Sequence, residues 1–168
     1  MNIDKLFTDK KYLQEQIDFF INQKRIKKIK SNPELVQSHI KKAKHNLEFY
    51  KLNKDKSKEF ADWLIVTLYY SLYHVSLALI TNRNFMSKNH YGTILILIKE
   101  YSIPKEDIKL IENLALNKDD ANFYNTLKEE RHNASYSTYS KFSQELIESY
   151  EKGVIDFIIK TEEILENE

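Results

Sequence analysis

The sequence contains no cysteine and only two glycines and two prolines among its 168 residues. The lack of cysteine excludes a disulfide framework, a thiolate nucleophile and a metal site with Cys ligands. All-β folds need turn residues at short intervals, so the scarcity of glycine and proline predicts long helices joined by short connections. A chain of this length is expected to form one domain around one core.

The sequence motifs of common enzyme classes are also missing. It has no glycine-rich phosphate loop, no GxSxG elbow, no dinucleotide fingerprint and no HExxH spacing. His39 and His45 are six residues apart, too far round one helix to share a metal ion. We therefore expect no metal and no cofactor. The first residues lack the apolar region and cleavage site of a signal peptide, which favours a cytoplasmic protein.

The formal net charge of +1 conceals an asymmetry along the chain. Residues 1–54 carry 13 Lys/Arg against 6 Asp/Glu, whereas residues 143–168 carry 2 against 8. Such segments can pack side by side as oppositely charged helices, or the basic one can attract a polyanion. The segment KRIKKIK (24–30) likewise has two interpretations, a solvated helix edge or a patch that contacts phosphate.

The stretch from Ser57 to Asn82 is apolar on nearly every side of a helical wheel. A helix of this kind must be buried all round, so we predict that it forms the centre of an all-α antiparallel bundle of five to seven helices without a sheet. Its most apolar run approaches the length of a membrane span. Its hydroxyl groups, its three tyrosines and His74 interrupt any lipid-compatible surface and favour a buried core helix.

Period-3.6 patterns predict the remaining helices. They are expected at residues 3–29, 33–52, 88–100, from 104 onward, 120–135 and 144–165. The segment TILILI (93–98) has the composition of a strand, but no second strand candidate exists to pair with it. A lone strand would leave backbone groups unsatisfied, so a short buried helix is predicted there.

Two sets of polar residues lie within or beside the expected core. Tyr70, Tyr73 and His74 form one stripe of the central helix and are either hydrogen-bonded core residues or part of a site. The second set is ERHNASY (130–136), in which Arg131 and Tyr136 would face about 140° apart on a continuous helix. Arg131 either pairs with a preceding glutamate or acts with Tyr136 where the helix ends or bends.

Four segments, in order, resemble the HEPN superfamily, small α-helical proteins found with minimal nucleotidyltransferases and in toxin–antitoxin and RNA-processing systems. LVQSHIKKAKHNLEFY resembles the second helix of the family, and TLYYSLYHVSLALI resembles its YYAxFHAARALL core. MSKNHYGTILILI is similar to its KSH segment, and ERHNASY to its R-x-x-A-D-Y ending. The resemblance implies a single HEPN-like domain over residues 1–168, with a family-like core at 33–160 and an N-terminal helical extension at 1–30.

Active HEPN ribonucleases carry the motif R-x4–6-H and cleave RNA without a metal. The 2′-hydroxyl attacks its own phosphate while His moves a proton and Arg stabilises the developing charge. In this sequence Arg131 matches the Arg, Tyr136 occupies the position of the His, and His132 stands directly beside the Arg. His74 or His90 could replace the missing imidazole if folding brings either one near Arg131.

The resemblance also implies which residues bind a ligand. RNA or a nucleotide is expected to contact the following residues: Arg131, His132, Tyr70, Tyr73 and Lys88. HEPN proteins build their groove across a dimer, so we expect a homodimer. Its expected partners are RNA and an antitoxin or a minimal nucleotidyltransferase, with no role for a membrane.

Three functions remain open from the sequence. The first is a HEPN-type component of a toxin–antitoxin or nucleotidyltransferase system, with metal-independent ribonuclease activity as an open question because of Tyr136. The second is a non-catalytic oligomeric interaction protein that uses the same bundle. The third is an unrelated helical module that binds RNA through the basic N-terminal region.

Overall fold

The structure, a computed structural model, describes residues 2–116 and 142–167, apart from the side chain of Lys58. Within these ranges the chain forms seven α-helices, one 3-10 turn and one two-stranded sheet. The elements are α1 (Ile3–Thr8), α2 (Lys10–Asn22), β1 (Ile26–Lys28), α3 (Pro33–Asn53), the turn (Lys54–Lys56), α4 (Ser57–Asn82), β2 (Phe85–Ser87), α5 (His90–Tyr101), α6 (105–116) and α7 (Gln144–Glu166). The predicted all-α helical bundle is confirmed.

The long helices begin where capping residues stand in the sequence. The side-chain oxygen of Asn32 accepts a hydrogen bond from the Leu35 N–H (2.9 Å) at the start of α3, and Pro33 is its first residue. Asn89 caps α5 in the same way through the Gly92 N–H (3.2 Å). The segment TILILI lies inside α5 as a buried helix, as predicted.

The prediction of one helix over residues 3–29 is wrong. Asp9 separates α1 from α2 because its side chain caps the second helix through the Tyr12 N–H (2.9 Å). After α2, Lys24 adopts a left-handed conformation with φ 57°, which ends the helix and turns the chain into β1. The N-terminal region is therefore two helices and a strand.

The expectation that the chain contains no sheet is also wrong. β1 pairs antiparallel with β2, with Ile26 opposite Ser87, Lys27 opposite Met86 and Lys28 opposite Phe85. Both strands are three residues long, and neither shows an alternating pattern long enough to be recognised in the sequence. The segment KRIKKIK consequently forms a turn and a strand, not the edge of a helix.

α4 is the central helix, and α3, α5 and α7 pack around it. Its fully buried side chains include Leu64, Ile65, Leu68, Leu72 and Leu79. Burying each such side chain stabilises the fold by about 1.5–3 kcal/mol relative to leaving it in water. Internal hydroxyl groups are satisfied by backbone carbonyls, so the polar residues of α4 are compatible with this burial.

The basic α3 and the acidic α7 contact each other through ion pairs. Lys44 on α3 pairs with Glu162, and Lys54, in the turn that follows α3, approaches Glu151 to 3.3 Å. The Tyr50 hydroxyl, on a ring that is almost fully buried, also donates to Glu151 (3.2 Å). Part of the charge asymmetry of the sequence is therefore explained by packing of oppositely charged helices.

α4 is not buried on every side, which corrects the prediction from the helical wheel. Phe60, Trp63 and Tyr70 are exposed to 44%, 53% and 41%. Phe60 has non-helical angles (φ −129°, ψ 31°), so the first turn of α4 bends. In the described part of the chain one segment, Glu59–Asn82, is long and apolar enough to cross a membrane, but 67% of its most apolar window is buried inside the protein. Such burial is typical of the core helix of a soluble protein.

Candidate functional site

The eight predicted site residues fall into two groups. Arg131, His132 and Tyr136 lie outside the described residues, so the predictions about them remain predictions. The other five are described: Tyr70, Tyr73, His74, Lys88 and His90. Three of these lie on α4, and the remaining two lie where β2 leads into α5.

His74 faces α3 and pairs there with His39. The two Nδ1 atoms are 3.1 Å apart, and the ring centroids are separated by 5.3 Å at an interplanar angle of 35°. In a hydrogen bond between them, one Nδ1 donates and the other accepts, and the accepting ring is neutral. Burial, together with the neighbouring His39 and Lys42, lowers the pKa of His74 to about 4. Burial also lowers the pKa of His39.

This environment makes His74 a poor general base. A group with a pKa of about 4 accepts protons weakly at neutral pH, and the Nδ1 of His74 is already engaged with His39. Sequence reasoning did not find the pair because His39 and His74 are 35 residues apart. The available signal was the short α3–α4 connection, which makes the helices antiparallel neighbours. The bond from the Ser71 hydroxyl to the Ala43 carbonyl (2.8 Å) fixes their register, and His39 and His74 lie one turn further along.

Tyr73 faces α5, on another side of α4. Its hydroxyl lies on the side of Thr93, and its ring stacks on Tyr69 with centroids 5.6 Å apart at 9°. Tyr70 packs edge-on against Tyr69 at 5.2 Å. Burial raises the pKa of Tyr73, so its hydroxyl remains protonated at neutral pH. Tyr69 thus links a half-buried ring to an exposed one.

Lys88 and His90 stand at the start of α5. The Ser87 hydroxyl donates to the Asn89 carbonyl (2.8 Å) and accepts from the Asn89 N–H (3.2 Å), which holds the turn between β2 and α5. The His90 ring lies against Tyr91 with centroids 3.9 Å apart. The Lys88 N–H donates to the Arg25 carbonyl (3.3 Å), so this corner of the molecule is continuous with the two-stranded sheet.

The structure therefore divides the predicted set. Tyr73 points towards α5, His74 points towards α3, and Tyr70 reaches the surface. The two histidines proposed as replacements for the missing imidazole lie in different environments, one paired inside the α3–α4 contact and the other at the start of α5.

The larger clefts formed by the described residues lie elsewhere on the surface. One, of about 500 Å³, is lined by Tyr50, Glu148 and Glu151 among others, and its carboxylates do not suit phosphate. The other, of about 510 Å³, lies between α1, α2 and the end of α5. None of the five described site residues lines either cleft. In the described ranges no group of three or more His, Asp or Glu side chains is arranged to hold a metal ion.

Together these features define a small all-α bundle. Its central helix exposes the aromatic side chains of Phe60, Trp63 and Tyr70, and a cationic two-stranded sheet belongs to the same fold. No protein-family model matches the sequence, and no curated protein matches it at a significant level.

Proposed function

We propose that this protein is a cytoplasmic, homodimeric HEPN-like protein that binds RNA or a nucleotide as part of a toxin–antitoxin or nucleotidyltransferase-partner system. Its protein partner is then an antitoxin or a minimal nucleotidyltransferase. The proposal starts from the four ordered sequence segments that resemble the family. One structural observation supports it most strongly, the exposed and ring-supported position of Tyr70.

Tyr70 belongs to the stripe that the sequence singled out, and 41% of it is exposed. Its ring is held by Tyr69, which in turn stacks on Tyr73. A core residue would be buried, so this exposure favours a binding role over a purely structural one. An exposed aromatic ring held in place by its neighbours is a preformed surface on which a nucleic-acid base can stack.

The chemistry proposed for the site follows from the remaining residues. Arg131 offers a forked donor that matches phosphate oxygens. His90, at the start of α5, is a better candidate for proton transfer than His74, whose pKa is about 4. The ordinary pKa of a tyrosine side chain is about 10, so Tyr136 is expected to be a poor base at neutral pH. We therefore expect RNA cleavage by the isolated protein to be absent or weak, and to survive a metal chelator.

Fluorescence anisotropy with a labelled RNA tests the binding site. Tyr70→Leu should weaken binding by about 5- to 150-fold, the range expected for the loss of one base–aromatic stack. Arg131→Ala should also weaken it, since a phosphate contact is lost. Phe49→Leu on α3 is the matched control, because Phe49 is similarly exposed (51%) but lies outside the stripe. Unchanged binding in both Tyr70→Leu and Arg131→Ala would contradict the proposal.

A cleavage assay with chelator present tests the catalytic part. Any activity should fall in Arg131→Ala and His90→Ala, and should be retained in His74→Ala. Robust cleavage that is lost only in His74→Ala would reverse this assignment and require the His39–His74 pair to open in the complex with RNA.

The second function, a non-catalytic oligomeric interaction protein, is favoured by the exposed side of α4. Phe60, Trp63 and Tyr70 are large apolar side chains that a second copy of the chain could cover. Light scattering of Trp63→Lys tests this interpretation. A wild-type dimer that becomes a 20.1 kDa monomer in this variant, with no RNA binding by either, would favour the second function over the first.

A further inference from the structure

The two-stranded sheet carries a group of exposed cations that we call the basic ribbon. It comprises Lys24, Arg25, Lys27, Lys28 and Lys30 around β1, and Lys88 at the end of β2. All six side chains are exposed. The strand pairing places Lys88 next to the β1 side, since its N–H donates to the Arg25 carbonyl.

The ribbon combines two parts of the chain that contain no acidic residue. Residues 19–33 and residues 63–99 both lack Asp and Glu, although charged residues make up 30% of the sequence. Sequence analysis locates the first cationic segment, but only the pairing of β1 with β2 places the second beside it. The positive charge on this surface is therefore not neutralised by either of its two strands.

The cations of the ribbon are also not engaged in ion pairs with any residue that the structure describes. Across residues 2–116 and 142–167, none of the six forms a salt bridge, whereas Lys44 on α3 and Lys54 in the turn after it pair with glutamates of α7. Arg25 lies over the Phe20 ring (5.7 Å) and Lys28 over the Phe85 ring (5.9 Å). These rings support the side chains while their charges stay in water.

The ribbon is firmly attached to the fold beneath these charges. Ile26 and Phe85 are buried and hold the inner face of the sheet against the core, and Ser87 fixes the turn into α5. Clustered like charges repel one another and lower stability unless an anion is bound. An unneutralised cluster of exposed cations on an anchored strand pair is the arrangement expected of a surface that binds a polyanion.

RNA suits this surface better than a membrane. Interfacial membrane binding requires apolar side chains that enter the lipid beside the cations. In the two strands Met86, opposite Lys27, is exposed, whereas Ile26 and Phe85 are buried, and Ile29 beside them is half-buried. Little apolar surface is therefore available here to enter a lipid. The phosphates of a nucleic acid need only the cations, and Lys88 leads directly to His90 in the proposed site.

We propose that the basic ribbon binds the phosphate backbone of RNA without reading its base sequence, and directs the strand towards the start of α5. The choice of RNA as the ligand rests on the proposed function. The location of the binding surface rests on the exposed cations of the ribbon, which are unpaired among the described residues. A single strand that contacts all six cations would give a slope of about −4 for log affinity against log salt. Its affinity would therefore fall by about 300-fold between 50 and 200 mM salt.

The test uses the full-length chain and two single-stranded RNAs of unrelated sequence. Lys27→Gln/Lys28→Gln should weaken binding of both RNAs by about 25-fold at 0.1 M salt and make the salt slope shallower by about 1.4. The control Lys41→Gln/Lys51→Gln removes two exposed α3 lysines that form no ion pair with other described residues, and it should bind as wild type. Far-ultraviolet circular dichroism should be the same for all three proteins.

Three results would overturn the proposal. They are wild-type affinity and slope in Lys27→Gln/Lys28→Gln, an equal loss in the α3 control, and ribbon-dependent binding to phosphatidylglycerol vesicles without binding to RNA. Arg131→Ala separates this inference from the proposed function. If Arg131→Ala loses binding and the ribbon variant does not, the ribbon is rejected and the proposed site stands. If the ribbon variant loses binding while Arg131→Ala and Tyr70→Leu both bind as wild type, the proposed site alone is rejected.

Discussion

The two sides of α4 that carry the predicted polar stripe differ in how their polar groups are used. On the α3 side, His74 bonds to His39 and Ser71 bonds to the Ala43 carbonyl, so the polar atoms pair within the helix contact. On the α5 side, Tyr73 reaches Thr93, and the turn before α5 leads outward to Lys88 and the basic ribbon. The α3 side keeps its polar atoms paired within the helix contact, whereas the α5 side continues into a turn that carries the exposed Lys88.

This difference shows that adjacent residues in one stripe need not share a function. Tyr73 and His74 are consecutive, but their side chains project about 100° apart on the helix and meet different neighbours. The histidine is most simply explained as a structural pair, whereas the tyrosines and the start of α5 border the proposed binding surface.

The largest effect on stability is expected at Gly92, where α5 packs closely against the two strands. A Cβ atom at this position would lie 2.5 Å from Ser87 Oγ and 3.0 Å from Ile26 Cγ1. Ser87 is held by two hydrogen bonds to Asn89 and cannot easily move away. Gly92→Ala should therefore lower the free energy of unfolding by about 2 kcal/mol, despite the higher helix propensity of Ala. Urea denaturation measures it.

Gly153→Ala is the matched control in α7. Its added Cβ would meet the end of the flexible Leu110 side chain at 2.9 Å, which can shift. We expect a change within about 1 kcal/mol, because the gain in helix propensity offsets the contact. Equal losses of unfolding free energy in both variants would mean that α5 packs no more tightly against the strands than α7 packs against Leu110.

The next largest effect is the loss of stability in acid that is expected from the His39–His74 pair between α3 and α4. The folded-state pKa of His74, about 4, lies below its ordinary value of 6.5, so the unfolded chain binds the proton more readily between these values. Stability should therefore be retained above pH 6.5 and fall as the pH drops from about 6.5 towards about 4. A fully buried group with this shift would contribute about 3 kcal/mol, and the half-buried His74 should contribute about 1–2 kcal/mol.

Urea midpoints at pH 7.5 and pH 5 measure this contribution. His74→Gln should reduce the acid-induced loss of stability relative to wild type. His45→Gln, an exposed histidine on the same helix as His39, should leave it unchanged. If all three proteins lose the same stability on acidification, the His39–His74 pair is not the acid-sensitive element.

The smallest effect on stability is expected at Tyr73, on the side of α4 that faces α5. Tyr73→Phe removes a half-buried hydroxyl that lies beside Thr93 and should lower the free energy of unfolding by about 1 kcal/mol. Tyr91→Phe, at a half-buried ring whose hydroxyl makes no hydrogen bond to another described residue, should have a smaller effect. Thermal or urea denaturation at pH 7 compares them, and a larger loss in Tyr91→Phe would contradict the assigned role of Tyr73.

Much of the helical framework could be predicted, because its signals are local. Asn32 and Pro33 mark the start of α3, and the apolar pattern from Ser57 to Asn82 gives the bounds of α4. The strand β1 was missed because its three residues carry no period of their own and become a strand only by pairing with β2. The exposure of Trp63 was missed because a helical wheel does not show which sides other helices leave uncovered.

The sequence by itself determined the fold class, the start of α3 at Asn32 and Pro33, and the extent of α4, because these depend on propensity and on periodicity along the chain. Only the tertiary structure decided the partners of those residues. It paired His74 with His39, directed Tyr73 towards Thr93 and placed Lys88 beside the cations of β1. The reason is physical, since the pKa of an imidazole and the charge of a surface depend on groups close in space, which can be far apart in sequence.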